Sequence, residues 1–117
     1  MKVYCKTCGI ALTQDISLYR GESFGLEDGQ DYIQPGVYTV GDGEYFSASE
    51  DCIIINKSDF VNVEDHPDGS RLNGCCGFAG CDGPNKVCIN GHEVATEKSD
   101  CWMPNAVIFE KMKTFLK

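Results

Sequence analysis

The sequence is poor in basic residues and in histidine. Ten Lys and Arg residues stand against eighteen Asp and Glu residues, for a formal net charge of −8 at pH 7. Phosphate backbones bind surfaces rich in Lys and Arg, so this balance argues against a nucleic-acid partner. With only His66 and His92 in the chain, no His-x-x-x-His or similar spacing of a hydrolytic zinc enzyme is present.

Long apolar runs are also missing. No stretch is long enough to cross a bilayer, and no basic-then-apolar signal segment precedes Cys5. We therefore expect a soluble, cytoplasmic protein, whose oligomeric state the sequence leaves open. Thiols stay reduced in the cytoplasm, so the eight cysteines are expected to be metal ligands and buried small hydrophobes rather than four disulfides.

The most informative motif present is Cys5-Lys6-Thr7-Cys8-Gly9, a Cys-x-x-Cys-Gly knuckle. Two thiolates in such a turn can bind one zinc ion, and the glycine after the second cysteine supplies the backbone freedom that the turn needs. A single knuckle gives only half of a tetrahedral site. The other two ligands must come from elsewhere in the chain.

The second half of the chain contains a cysteine-rich tract, residues 73–102, which carries five cysteines: Cys75, Cys76, Cys81, Cys88 and Cys101. Four of the ten residues from 74 to 83 are glycine, and a loop of this composition should be disordered without a further constraint. A bound metal would supply such a constraint, worth about 10 kcal/mol or more in peptides.

We predict a structural zinc site formed by four thiolates, Cys5, Cys8, Cys76 and Cys88. Cys76-Gly77 repeats the Cys8-Gly9 step, and Cys88 is followed by a knuckle-like glycine at position 91. The site charge of −2 calls for backbone N–H donors and a nearby lysine, Lys6 or Lys86. The alternatives for the last two ligands are Cys75, Cys81, Cys101 and His92, the last at Cys-x-x-x-His spacing from Cys88. Cys52, at the start of an isoleucine run, is expected to be a buried small hydrophobe.

Short apolar and β-branched runs separated by turn signals predict a mainly β fold, an antiparallel sheet in a single zinc-stabilised domain over 1–117. We expect a hairpin of 37–40 with 44–47 and a second pair of 52–56 with 60–63. Residues 1–4 and 93–96 are expected to be further strands. A C-terminal helix over 105–117 is possible, and 106–109 could equally be a final strand.

Part of the chain resembles a group of small bacterial zinc-knuckle, zinc-ribbon-like proteins of unknown function. The resemblance lies in the N-terminal Cys-x-x-Cys and in stretches 71–77, 82–85, 93–97 and 99–102, with Cys88 and Gly91, about a third of the chain. It implies a bacterial, zinc-binding protein and carries no activity. That group has Cys-x-Cys-Gly where this chain has Asn90 as the third residue, which leaves the fourth ligand open.

Three classes of function follow from these residues. The first is a non-enzymatic zinc module that binds a protein or small ligand, because a ligand set of cysteines leaves no open position for water. The second is a thiol-based redox enzyme or sensor that uses Cys5 and Cys8, although the strand-to-helix context of a reactive Cys-x-x-Cys is missing. The third, a hydrolytic zinc enzyme using His66 or His92, lacks the required spacing. No catalytic residue and no calcium or phosphate loop is predicted.

Overall fold

The computed structural model describes all residues, 1–117, and confirms the mainly β fold. It has nine strands and two short 3-10 turns, at Lys57–Asp59 and Gly69–Arg71. The strands are β1 (Val3–Cys5), β2 (Ser17–Leu18), β3 (Val37–Val40), β4 (Ile53–Ile55), β5 (Val63–Asp65), β6 (Lys86–Cys88), β7 (Glu93–Lys98), β8 (Ala106–Phe109) and β9 (Thr114–Leu116). The structure contains no helix with the length and apolar character needed to span a bilayer.

Seven of the strands form one sheet, in the order β2-β3-β4-β8-β7-β6-β5. All neighbours in it are antiparallel except β2 and β3, which are parallel. The remaining strands, β1 and β9, form a separate antiparallel pair in which Cys5 lies opposite Thr114. The N-terminal knuckle therefore follows a strand that the C-terminus holds in place.

The central strands of the large sheet are buried on both faces. All four residues of β8 are buried, and they alternate between two apolar clusters: Val107 and Phe109 face one, Ala106 and Ile108 the other. A strand covered on both faces needs an uninterrupted apolar run, which explains the sequence of β8. The first apolar cluster also contains Cys5 and Cys88, so it links the knuckle to the sheet.

The predicted hairpin has a different partner strand. Strand 37–40 is confirmed, but 44–47 forms no strand, and β3 pairs instead with β4, with Tyr38 opposite Ile55. The Asp42 carboxylate accepts a hydrogen bond from the backbone N–H of Glu44 (2.9 Å) and holds the chain in a turn. The Phe46 ring then packs on Tyr32 at a centroid distance of 4.9 Å.

The second predicted pairing, of 52–56 with 60–63, is wrong. Buried Asn56 ends β4, because its side-chain oxygen accepts from the backbone N–H of Ser58 (2.9 Å) and caps a 3-10 turn. The next strand starts only at Val63, and it pairs with β6, where Val63 lies opposite Cys88. The turn chemistry of the asparagine takes precedence over the hairpin spacing.

The C-terminus contains two strands and no helix. Residues 106–109 form the buried strand that was the alternative interpretation, and β9 follows after a turn in which Lys113 N–H donates to the Glu110 carbonyl (3.0 Å). Met112, which a helix over 105–117 would place on its apolar face with Ile108 and Leu116, is 75% exposed. Burial of β-branched and aromatic residues in the middle of the sheet outweighs the weak helical pattern.

Candidate metal centre

Four metal-binding side chains meet at one end of the molecule: Cys5, Cys8, Cys88 and His92. Their potential ligand atoms all lie within 4.8 Å of one another. The first two belong to the knuckle after β1, and the other two to the turn that joins β6 to β7. The structure thus brings together three of the four predicted ligands, and His92 takes the fourth place. The assignment of these residues as metal ligands stays a prediction.

The two turns that carry these side chains are built alike. Gly9 N–H donates to the Cys5 carbonyl, and Gly91 N–H donates to the Cys88 carbonyl, each at 2.8 Å. Both glycines have a positive φ, +76° and +86°, in open space. Glycine is therefore needed for its backbone conformation and not to avoid a clash with a neighbour, because other L-residues are sterically disfavoured at positive φ.

Three of the six distances between the potential ligand atoms are close to those of a tetrahedral zinc site. With Zn–S bonds of about 2.3 Å, two thiolates of a tetrahedron lie about 3.8 Å apart; the sulfurs of Cys8 and Cys88 are 3.8 Å apart. With a Zn–N bond of about 2.05 Å, sulfur and nitrogen should lie about 3.6 Å apart. His92 Nδ1 is 3.3 Å from the Cys88 sulfur and 3.8 Å from the Cys5 sulfur. These spacings fit one ion among the four atoms.

Burial separates the ligands into an inner and an outer group. Cys5 and Cys88 are completely buried in the first apolar cluster, whereas Cys8 is exposed. Burial raises the pKa of the Cys88 thiol. The pKa of Cys8 falls to about 6, chiefly because the Asn90 side chain hydrogen-bonds to its sulfur, with a further contribution from the backbone of Ile10. Cys8 is therefore a thiolate at neutral pH, the form that binds metal.

Asn90 supplies the side-chain hydrogen-bond donor near the thiolates that was expected from Lys6 or Lys86. Its Nδ2 donates to the Cys8 sulfur at 3.3 Å. Lys86 instead forms ion pairs with Asp65 and Glu97, and Lys6 is exposed. The residue at which the chain departs from the Cys-x-Cys-Gly pattern is thus a neutral donor to a ligand sulfur, the kind of outer contact that orients metal ligands.

A network of charged side chains fixes the strand that follows His92. Glu93 accepts hydrogen bonds from His66 Nε2 and Arg71 (both 2.9 Å) and from Lys113 (3.0 Å). These donors, Lys113 and His66 first, lower the pKa of Glu93 to about 2. His66 Nδ1 accepts from the Asp68 backbone (3.0 Å), so the hydrogen lies on Nε2. His66 thus serves its own turn and Glu93 rather than a metal.

Cys76 lies in a different place from the one predicted. Its sulfur is 2.9 Å from that of Cys101 and 3.8 Å from that of Cys75, and these three thiols form a second, exposed cluster. The carboxylate of Asp100 positions them, because it accepts from the backbone N–H groups of all three cysteines at 2.8 Å each. The Cys76-Gly77 pair is thus not a second knuckle but a place where two loops come close together. Cys81 belongs to neither cluster.

The sequence contained a signal for His92 as a metal ligand, but the Cys-Gly pairs at residues 8–9 and 76–77 favoured Cys76 instead. Cys88 and His92 flank a glycine in a tight turn, and in the structure Cys88 N–H donates to the carbonyl of His92 at 2.8 Å. The Cys5 N–H donates in the same way to the carbonyl of Ile10 (3.0 Å). The turn that closes on His92 therefore resembles the N-terminal one, and this similarity could have identified the pair.

No protein-family model, no curated protein and no solved structure matches this chain. Its function must therefore be inferred from its own residues. Four donors around a single point, with both turns anchored in the core, can hold a metal ion. The four donors are three sulfurs and one imidazole nitrogen.

Proposed function

We propose that the chain is a zinc-stabilised β module whose structural site is Cys5, Cys8, Cys88 and His92. The observation that carries the proposal is that these four atoms all lie within 4.8 Å of one another, with distances of 3.8 Å for Cys8–Cys88, 3.3 Å for Cys88–His92 and 3.8 Å for Cys5–His92. His92 replaces Cys76 in the ligand set, which then consists of three thiolates and one imidazole rather than four thiolates. The proposed zinc-ribbon-like character rests on two knuckle-type turns that face each other across one site, and the proposed bacterial origin rests on the sequence resemblance alone.

The ion would hold the N-terminal segment onto the sheet. Cys8 and Cys88 are separated by 80 positions in the chain, so their joining closes a long loop, at a substantial cost in chain entropy. Structural zinc in small domains contributes about 10–16 kcal/mol at neutral pH. This is comparable to the whole net stability of a domain, about 5–15 kcal/mol. Folding should therefore depend on the metal.

The proposed module is a binder rather than an enzyme. Four protein donors complete the coordination of zinc and leave no position for a reactive water. A surface suited to a protein or small ligand is the cleft formed by Phe24, Leu26, Tyr32 and Tyr45 with Asp42 and Glu44 at its edge. Leu26 and Tyr45 are about half exposed. Aromatic side chains beside carboxylates favour a partner with apolar and basic groups.

Metal analysis of the purified, reduced protein tests the proposal. We expect one zinc per chain in the Cys76→Ser variant, which removes a thiol of the second cluster, and none in His92→Ala. A folded protein without zinc would contradict the structural site. Full retention of zinc in His92→Ala together with its loss in Cys76→Ser would restore the four-cysteine ligand set predicted from the sequence.

A thiol-based redox function is the second candidate, and one observation favours it. Cys8 is exposed and its pKa is about 6, which gives a nucleophilic thiolate at neutral pH. Thiol–disulfide exchange by the zinc-loaded protein, lost in Cys8→Ser, would support this function over a structural site. We expect no such exchange, because zinc would occupy the thiolate.

Nucleic acid is not the proposed partner, and salt dependence tests this directly. The net charge of −8 should repel phosphate backbones. A titration with mixed DNA and RNA oligonucleotides should show no binding at physiological salt. Submicromolar affinity that falls steeply as salt rises would require several Lys or Arg contacts with phosphates and would contradict the proposal.

A further inference from the structure

A second group of thiols lies outside the proposed zinc site. The sulfurs of Cys75, Cys76 and Cys101 are all within 4.8 Å of one another, and all three residues are exposed. Cys76 contacts both of the others, at 2.9 Å and 3.8 Å. Adjacent side chains in an extended chain point apart, so Cys75 and Cys76 reach the same point only because of the local turn.

The turn is held by one buried carboxylate. Asp100 is 1% exposed, and its Oδ1 accepts from the backbone N–H groups of Cys76 and Cys101, each at 2.8 Å. Its Oδ2 accepts from the N–H of Cys75 at 2.8 Å and from Trp102 Nε1 at 2.9 Å. Each member of the thiol cluster is thus fixed through its own backbone. The backbone of the cluster is therefore fixed, although the Cys76 and Cys101 sulfurs, 2.9 Å apart, must move apart to bind one ion.

The same hydrogen bonds determine which atoms of the cluster are available to bind a metal ion. A carboxylate offers about four lone-pair sites, and all four of those on Asp100 are engaged. It cannot also bind a metal, so the cluster is an all-sulfur set of three. Its negative charge nevertheless lies beside the sulfurs and favours a cation there.

We propose that Cys75, Cys76 and Cys101 form a second metal site, for a thiophilic ion bound by three thiolates, of which Cu(I) is the representative ion. Structural zinc takes four protein donors, and this cluster has only three. Thiolate ligands select soft ions such as Cu(I) over hard ones, and Cu(I) accepts three-coordinate, all-sulfur binding. The exposure of the sulfurs gives the ion a path into the site, and the site is independent of the ligand set proposed for zinc.

The test is a Cu(I) titration of the reduced, zinc-loaded full chain under anaerobic conditions against a competing Cu(I) chelator. Trp102, the single tryptophan of the chain, adjoins Cys101 and reports binding through its fluorescence. We expect one equivalent of Cu(I) per chain, a change in this fluorescence, and retention of zinc. The Cys76→Ser variant should bind Cu(I) more than about 100-fold more weakly, since loss of outer contacts alone costs 10–100-fold.

The matched control is Cys81→Ser, which removes an exposed cysteine outside the cluster and should leave Cu(I) binding unchanged. Far-ultraviolet circular dichroism and zinc content establish that each variant is folded. Equal affinity in Cys76→Ser, or Cu(I) uptake only as zinc is released, would overturn the proposal. So would a reduced protein that binds no Cu(I) and instead forms a Cys76–Cys101 disulfide in air, because the thiols would then be a redox pair.

Discussion

The two thiol clusters of this chain use the same side chain in opposite surroundings. In the first cluster, Cys5 and Cys88 are buried among core side chains, and the hydrogen-bond donor of Asn90 points at the exposed sulfur of Cys8. In the second cluster, all three sulfurs are exposed, and the donors point at a carboxylate instead. Donors near sulfur stabilise a thiolate, whereas a nearby carboxylate opposes it.

The pKa values in the two clusters also differ. The pKa of Cys8 is lowered to about 6, chiefly by the Asn90 hydrogen bond, whereas the pKa of Cys101 is raised to about 12, chiefly by its hydrogen bond with Cys76. In the first cluster, Cys8 is therefore ready to bind metal at neutral pH, whereas burial raises the pKa of Cys88. In the second cluster, Cys75 and Cys101, whose pKa values are raised, keep their protons until an ion displaces them. Under the proposed assignments, the first cluster is a site on which folding depends, and the exposed second cluster is one that an ion can fill after folding.

The largest effect is expected from removing a buried ligand of the first cluster. Cys5→Ser or Cys88→Ser should release zinc and unfold the protein at neutral pH, because the lost metal contribution of about 10–16 kcal/mol matches or exceeds the net stability of a domain. Zinc content and circular dichroism measure the two effects. A strong chelator added to the unaltered protein should produce the same unfolding.

The control for this experiment is Cys76→Ser, in which the second cluster loses its central thiol. It should keep its zinc and its β spectrum. Unchanged melting and full zinc in Cys5→Ser would mean that the first cluster is not a metal site, and the contrast between the two clusters would disappear.

A smaller effect is expected when the carboxylate under the second cluster is replaced. In Asp100→Asn, an NH2 group replaces one carboxylate oxygen and faces the backbone N–H donors. Buried donors thereby lose their acceptor, and we expect Tm to fall by about 5–10 °C. Zinc in the first cluster should be retained. Differential scanning calorimetry with metal analysis measures both, and Asp51→Asn, at an exposed residue, serves as the matched control. An unchanged Tm would show that Asp100 does not hold the loop.

The class of fold and three of the four side chains at the candidate site could be predicted from the sequence, for physical reasons that are visible in particular residues. Val37–Val40 shows a β pattern of its own, whereas the apolar run Ala106–Phe109 fitted a helix and a strand equally well and is a strand in the structure. Cys5 and Cys8 are neighbours in one turn, so local spacing was sufficient. Pairing of β4 with β8 depends on contacts between distant parts of the chain, which no local pattern contains.

The choice between Cys76 and His92 illustrates the same limit. Each of these residues belongs to a plausible local metal-binding motif. Only the path of β6 and β7 determines which of the two side chains lies near the N-terminal knuckle. Cys76 is held away from it by Asp100, through a hydrogen bond between residues 24 positions apart. A single sequence gives no sign of such a contact, whereas the glycine turn before His92 was visible.

Loss of the Asn90 side chain should weaken zinc binding without unfolding the protein. Asn90→Ala removes the donor to the Cys8 sulfur, and outer contacts of this kind are worth about 10–100-fold in metal affinity. Competition with a zinc chelator measures the change. Asn73→Ala is the matched control, because that side chain bonds to Ser70 and Asp82 and not to sulfur. Equal affinity of both variants would remove Asn90 from the site.

The smallest effect is expected at Cys52, the buried cysteine that belongs to neither cluster. It is 5% exposed and packs in the second apolar cluster with Phe46 and Ile54, burial raises its pKa, and it belongs to neither group of potential metal ligands. Cys52→Ala should cost about 1–2 kcal/mol of unfolding free energy through lost packing, measured by urea denaturation. Zinc and Cu(I) binding should be unchanged. The exposed Cys81→Ala control should stay within about 0.5 kcal/mol, and a loss of zinc in Cys52→Ala would show that metal binding in this chain is not confined to the two clusters.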